Sequence, residues 1–399
     1  MTLIQSLCKF ILNIAFQKHI KQMRKKSFWI FLLLIQIVLG NSFLLMSEDV
    51  KTLEIGATAP DFSLPCVDGK MYTLASFSKS KILVIIFTAN HCPTAQAYEE
   101  RILELYKDFH QKSVEFVLVS SNNPKALCLE EMGYSDLGDS FEEMKIRARD
   151  KKFPMPYLYD GDKQEMAIAY GPTTTPHVFI FDEKRKLRFC GRIDEMESPY
   201  QKPTQPDTRN AIQALLEGKQ VPVEKTKTFG CSIKWASKEV WRNKLDADWK
   251  NKPVEIIETD ITGIKEIISN KSKKFRLVNV WATWCGPCVI EFPEFVSMQR
   301  MYGARNFEFV SISADGLKKK DKVLEFLKNN SAATKNYLYS AEDKYSLIEA
   351  VDKNWSGALP YTLLIAPGGE IVYSHQGLVE PSEVKNAIIK KLGRFFADD

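Results

Sequence analysis

Arg276-Leu277-Val278-Asn279-Val280-Trp281-Ala282, followed at once by Thr283-Trp284-Cys285-Gly286-Pro287-Cys288, is the stretch on which the reading of this chain turns. Its first seven residues form an apolar, β-branched run suited to a strand buried on both faces. The run feeds a Cys-x-x-Cys at the start of a helical stretch ending near Met301, and Phe307–Ser313 reads as the next strand. Strand, helix, strand implies a right-handed parallel crossover. In that context the cysteines read as a redox pair. Three-residue spacing at a helix start brings two sulfurs within bonding range. Cys285 stands where unpaired N–H groups and the helix dipole favour a thiolate, so its pKa is expected to fall from ~8.5 towards ~7. Cys285 attacks a partner disulfide, and Cys288, the more buried sulfur, resolves the mixed disulfide. Pro287 fits the first helical turn, where it loses no hydrogen bond. A zinc site would need further Cys or His ligands. After His177 only His375 remains and there is no second Cys-x-x-Cys, so neither a metal nor a cofactor is expected.

The same plan occurs about 190 residues earlier. Lys81–Thr88 is a buried-strand run, a cysteine loop and a helical stretch Pro93–His110 follow, and Val114–Ser120 is the next strand. Thr175-Pro176 precedes a hairpin of His177–Phe181 and Leu187–Ile193, as Leu359-Pro360 precedes Tyr361–Ala366 and Ile371–Ser374. Thr208–Gly218 reads as the closing helix of the first copy, and Ala126–Lys152 as an insertion with helical content. The expected fold is therefore α/β, two tandem units with a mixed central sheet and helices on both faces. The boundaries are 47–235 and 254–399, joined by a linker at 236–253.

The second unit resembles thioredoxin, and more closely the extracytoplasmic thiol-disulfide oxidoreductases of the TlpA/ResA type. The likeness rests on Trp-Cys-Gly-Pro-Cys, on Glu291-Phe292-Pro293 and on Leu359-Pro360-Tyr361. It implies that Pro360 is a cis-proline packed against the disulfide and that Leu359 offers backbone groups to a partner strand. Trp284, Gly286 and Pro287 would line the client surface. Glu291, one turn after Cys288, would tune or shuttle protons for the pair; the alternative is an exposed helix glutamate. Asn279 stands where cytoplasmic thioredoxins keep a buried aspartate, which strengthens Glu291 as the proton acceptor. Pro293 is expected to kink the helix, because it deletes a backbone hydrogen bond.

Ile55–Leu64, with a turn at Asp68-Gly69, resembles the AhpC/TSA and redoxin branch of the same fold. Thr88–Ala95 and Gly230–Trp235 resemble a redoxin-like group whose loop usually reads Cys-Asn-His-Cys-Pro. Here the first of those cysteines is Ala89, so the position expected to hold the nucleophile is chemically dead, and Cys92 stands alone beside His91. Three readings compete. They are loss of catalysis, pairing of Cys92 with another thiol (Cys231, Cys190 or Cys128), and action of Cys92 as a one-cysteine peroxidase. Loss of catalysis is preferred, and Cys92 with Cys231 is the second candidate redox site. The peroxidase motif Pro-x-x-x-Thr-x-x-Cys finds Ile85 and Ala89 at its Pro and Thr positions and does not fit. Cys66 and Cys128 read as small apolar residues, and Pro176 as this copy's cis-proline.

The remaining sequence concerns address and partners. Met23–Ser27 is basic, Phe28–Leu39 is apolar but for Gln36, and Gly40, Asn41 and Ser42 follow, which are the parts of a secretory signal. Translation starting at Met23 and a basic amphipathic arm over 1–22 are both open. Phe28–Met46 is 19 residues, barely enough to span a bilayer, so a retained membrane anchor is the alternative to a cleaved signal. Either places the body outside the cytoplasm, in the periplasm or cell envelope. The formal net charge of +5 hints at nucleic acid, but six Lys and Arg and no acid fall within residues 1–46, which leaves about −1 for the rest. Counterion release therefore supports no nucleic-acid partner. Eight cysteines in 399 residues are too few for a disulfide scaffold. The expected function is an extracytoplasmic thiol-disulfide oxidoreductase with protein thiol or disulfide clients and a membrane-linked electron donor. The alternatives are a peroxide reductase in which Cys285 and Cys288 recycle Cys92, and an adaptor whose first unit binds clients.

Overall fold

The computed structural model describes residues 50–395 except 197, 199 and 200. The expected signal or anchor, residues 1–46, lies outside the described residues. Among the described residues no helix is long and apolar enough to cross a membrane.

Both apolar runs around the cysteine loops are central strands. In the first copy Ile82–Thr88 is buried along its whole length and lies between Val114–Ser120, parallel to it, and His177–Phe181, antiparallel to it. Tyr157–Tyr159 and Leu187–Gly191 complete a five-stranded mixed sheet. The second copy has six strands in the order Ile257–Thr259, Lys335–Tyr339, Phe307–Ser313, Phe275–Trp281, Tyr361–Ile365 and Ile371–Gln376, the first four parallel and the hairpin antiparallel. Helices cover the sheets, and each sheet separates two cores, with alternate residues of its central strand pointing into one or the other. One of the first copy's cores holds Tyr98, Ile102 and Phe109 of the helix Pro93–Phe109. One of the second's holds Phe292, Phe295 and Met298 of the helix Gly286–Tyr302. These are two tandem thioredoxin-like units.

Two stretches do more than the sequence reading asked of them. The stretch read as a linker is itself ordered: Ala236–Lys238 forms a 3-10 turn and Glu239–Lys250 a helix. Its Trp249 packs on the second core and donates its indole N–H to the carbonyl of Ser331 at 2.9 Å. The Ala126–Lys152 insertion is only partly helical, with a 3-10 turn at Leu129–Met132 and a helix over Phe141–Lys151 capped by Ser140. It joins the copies. Leu127 and Met132 are built into the second copy's core. Arg300 holds Glu130 at 2.9 Å and Asp246 at 2.7 Å, Tyr302 donates to the carbonyl of Ser135 at 2.9 Å, and Arg394 grips Asp136 with two bonds of 2.6 and 2.8 Å.

Candidate functional site

Cys285 caps the helix Gly286–Tyr302, and its sulfur accepts the backbone N–H of Cys288 at 3.3 Å. The two cysteines are bonded to each other. Cys288 is wholly buried and Cys285 is 6% exposed, so of the two residues only the capping one reaches the surface. The helix end supplies unpaired N–H groups to whatever charge that sulfur carries. Gly286 and Pro287 are exposed, and Trp284 is 62% exposed beside them. Ile290, Val289 and Leu378 add further exposed apolar surface. The Leu359–Pro360 bond is cis, with Pro360 buried and Leu359 half-buried against the core that contains both cysteines. Pro293 lies inside the helix, and its carbonyl accepts the Ser297 hydroxyl at 3.0 Å.

Glu291 is buried, not an exposed helix glutamate. Its oxygens accept the Asn279 side-chain amide at 3.0 Å and the Val379 N–H at 3.0 Å. Burial pushes its carboxyl up to about 7, against the two donors that favour the charged form. Asn279 is itself wholly buried and donates also to Thr362 at 3.1 Å. The Glu291 carboxyl so placed stands one helical turn after Cys288. Val379 and Thr362 were not singled out in the sequence, because tertiary packing alone brings them to Glu291.

The first copy repeats this architecture with different chemistry. Thr88 ends its strand and Cys92 caps the helix four residues on; Trp281 ends its strand and Cys285 caps the helix four residues on. Cys92 therefore holds the place of Cys285, Ala89 that of Ala282, and Ala95 that of Cys288. This corrects the expectation that Ala89 had replaced the nucleophile; the residue missing is the resolving cysteine of the helix. Backbone register decides the matter, and the loop's resemblance had suggested a shift of three residues.

Around Cys92 the structure gathers three more groups. The Ala95 N–H donates to its sulfur at 3.4 Å. Cys231 packs against it, carried by the pairing of Cys231–Ser232 with Thr174–Thr175, directly before the cis Thr175–Pro176 bond. His91 is buried and bonded through Nδ1 to Asp139 at 2.5 Å, while Asn122 donates to the same carboxylate at 2.7 Å. Burial alone would lower the imidazole's pKa; the Asp139 carboxylate overrides it and raises it. Burial likewise would raise Cys92, but the Cys231 thiol, His91 and the Ala95 N–H bring it down to about 6, and Cys231 moves strongly upward in return. Between the two thiols the charged form is thus favoured on Cys92 and the proton on Cys231. Asp139 and Asn122 escaped the sequence reading; Asp139 lies 48 residues from His91, inside the insertion.

The other candidate thiols stay apart. Cys190 sits 3.2 Å from His177 Nε2, and burial pushes it up to about 12, while His177 is pushed down to about 3 by the same burial. Cys128 is buried and pushed up to about 11. Among the described residues no cluster of His, Cys, Asp or Glu suits a metal ion.

Comparison with known proteins agrees with this architecture. The AhpC/TSA family matches residues 55–190, and the Redoxin family residues 265–388. A thioredoxin of Ophiophagus hannah is 32% identical over 24% of this chain and 92% of its own length. The chain belongs to the thioredoxin superfamily. The thiol-disulfide oxidoreductase ResA of Oceanobacillus iheyensis is 30% identical over 28% of this chain and 53% of its own. This superfamily member thus spans about half the length of that relative. A solved structure of an uncharacterized conserved protein from Geobacillus kaustophilus is 36% identical, covers 46% of this chain and 94% of its own, and has a TM-score of 0.41.

Proposed function

We propose that the chain is a thiol-disulfide oxidoreductase that acts on protein disulfides outside the cytoplasm through Cys285 and Cys288. The observation that carries this is the bonded Cys285–Cys288 pair at a helix N-terminus with the buried Glu291 behind it. The reduced Cys285 thiolate attacks a client disulfide and joins one of its sulfurs, releasing the other as a thiolate. Cys288 gives its proton towards Glu291 and attacks Cys285, which closes the pair and frees the client's second thiol. A client strand has somewhere to lie. Among the described residues no strand pairs with the segment before Pro360, whereas the matching segment of the first copy is already paired. The exposed Trp284, Ile290 and Val289 offer it apolar contact.

The extracytoplasmic site rests on the basic and apolar stretch at 23–46, which also supports a membrane tether and re-reduction by a membrane-linked donor. The relative named a thiol-disulfide oxidoreductase supports the reaction class. Insulin reduction tests the reading. Cys285→Ser should abolish it and Cys288→Ser should trap a mixed disulfide with the client; unchanged turnover in Cys285→Ser sinks the proposal.

A further inference from the structure

The proposed function uses none of the first copy's five free thiols, and two of them, Cys92 and Cys231, pack together. Cys92 caps its helix in the place of Cys285, with Ala95 where a resolving cysteine would stand. Cys231 packs against Cys92, on a strand whose register sets it against Thr175. Thr175 touches both partners, since its carbonyl oxygen lies 3.2 Å from the Cys92 sulfur, within reach of the S–H when Cys92 is protonated.

The chain fixes Cys231 there from both sides. Gly230, just before it, has φ +125°, and a Cβ at that position would meet the Thr175 carbonyl at 2.1 Å, so only glycine allows so close an approach. Just after it, Ile233 and Lys234 are buried. The Lys234 N–H donates to Asn122 at 2.8 Å, its carbonyl accepts from Asn123 at 2.8 Å, and its ammonium pairs with Glu131. This much anchoring of a surface strand serves to hold one thiol against another.

We propose that Cys92 and Cys231 form a second, reversible dithiol–disulfide centre whose resolving sulfur comes from a strand, not from the helix. The inference rests on the first copy's own geometry and not on the reading of Cys285 and Cys288. It replaces the expectation that this copy has lost catalysis. Cys92 is wholly buried and Cys231 is half-exposed, so an incoming disulfide meets Cys231. The Cys231 proton first passes to Cys92. The Cys231 thiolate attacks, forms a mixed disulfide and releases one thiolate. Cys92 then gives up the proton and attacks the Cys231 sulfur, which closes Cys92–Cys231 and releases the second sulfur as a thiol. The external disulfide gains two electrons and the pair loses two. Cys66, Cys128 and Cys190 are buried, with thiols pushed upward by burial, and stay silent.

The test equilibrates the full chain in mixtures of reduced and oxidised glutathione, quenches with acid, alkylates and maps peptides. It is run on the unsubstituted protein and on Cys285→Ser/Cys288→Ser, in which only the first copy can cycle. A peptide linking Cys92 to Cys231 should appear and disappear reversibly with the glutathione ratio in both. Cys92→Ser should leave Cys231 as a lasting glutathione adduct, at least about tenfold more abundant than in the unsubstituted chain. A linked peptide absent at every ratio, or a Cys231 adduct that persists with Cys92 present, overturns the proposal. The Cys285–Cys288 peptide has its own mass, so failure of either centre is seen separately.

Discussion

The Asn279 side-chain amide donates to Glu291 at 3.0 Å in a buried setting, and this bond offsets only part of the rise that burial gives the Glu291 carboxyl one turn after Cys288. Glu291 titrates at about 7, raised by burial. Below that pH it is protonated and cannot accept the Cys288 proton; above it, it can. Resolution of a preformed mixed disulfide at Cys285 should therefore speed up as pH rises, with a midpoint near 7. Cys285 does not titrate in that adduct, which isolates the step. In Glu291→Gln the rate should fall at least about tenfold at pH 8 and lose this midpoint. Stopped-flow release of a chromophoric thiol from the adduct measures it, and an unaltered pH profile would remove Glu291 from the mechanism.

Asn279→Asp would put a second carboxyl 3 Å from the first. Two like charges at that distance in a buried site cannot both ionise freely, so one pKa climbs. The midpoint of the resolving step should move about one pH unit or more above that of the unsubstituted chain. Stability at pH 8 should fall by roughly 2–4 kcal/mol, because a buried charge is then left without a partner, while at pH 5.5 the loss should be small. Urea unfolding at the two pH values separates this from a general packing defect, which would cost the same at both.

The strands and the redox pair were legible because their signals are local. Seven-residue apolar runs such as Ile82–Thr88 and Phe275–Trp281, and a Cys-x-x-Cys at a helix start, need no knowledge of distant residues. The partners of each site were not. Asp139 meets His91, Cys231 meets Cys92 and Val379 meets Glu291 only once the chain has folded. Cys92 itself was misplaced by three residues, since the loop's resemblance set the nucleophile at Ala89 although the strand end at Thr88 and the helix start at Pro93 were both legible and already put Cys92 at the helix cap. The insertion's bridging role was hidden by distance: Glu130 and Arg300 are 170 residues apart.

His91 and Asp139 form a fully buried ion pair that should set the pH limits of the first copy. The Asp139 pKa is lowered, because His91 and Asn122 outweigh the opposing effect of burial, so its contribution is lost as pH falls through that lowered value. The His91 pKa is raised, so its contribution is complete below its ordinary value of ~6.5 and is lost as pH rises through the raised one. The pair therefore stabilises most in the window between. Asp139→Asn should cost roughly 3–5 kcal/mol within that window and less outside it. Thermal unfolding followed from pH 3 to pH 9 should show a flattened profile in the variant. A loss that does not vary with pH would mean that the pair is neutral.

Asp136 in the first copy's insertion and Arg394 near the chain's end should decide whether the two copies unfold together. Both terminal guanidinium nitrogens of Arg394 bond to Asp136, at 2.6 and 2.8 Å, and Asn386 adds a third bond at 3.2 Å. Asp136 is 8% exposed and Arg394 26%, so water screens this pair only in part. Asp136→Ala removes all three acceptor contacts and leaves Arg394 without its carboxylate, a loss of about 2–3 kcal/mol for charge-assisted bonds. Leu127 and Met132 remain in the second copy's core, so the copies should stay associated under native conditions. In urea the variant should separate into two transitions, followed in a Trp235→Phe background, which removes the tryptophan packed on the first copy's core, by fluorescence for the second copy and by far-ultraviolet circular dichroism for both. A single transition with an unchanged midpoint would show that the apolar contacts alone couple the two copies, and that the ion pair orients the insertion without stabilising it.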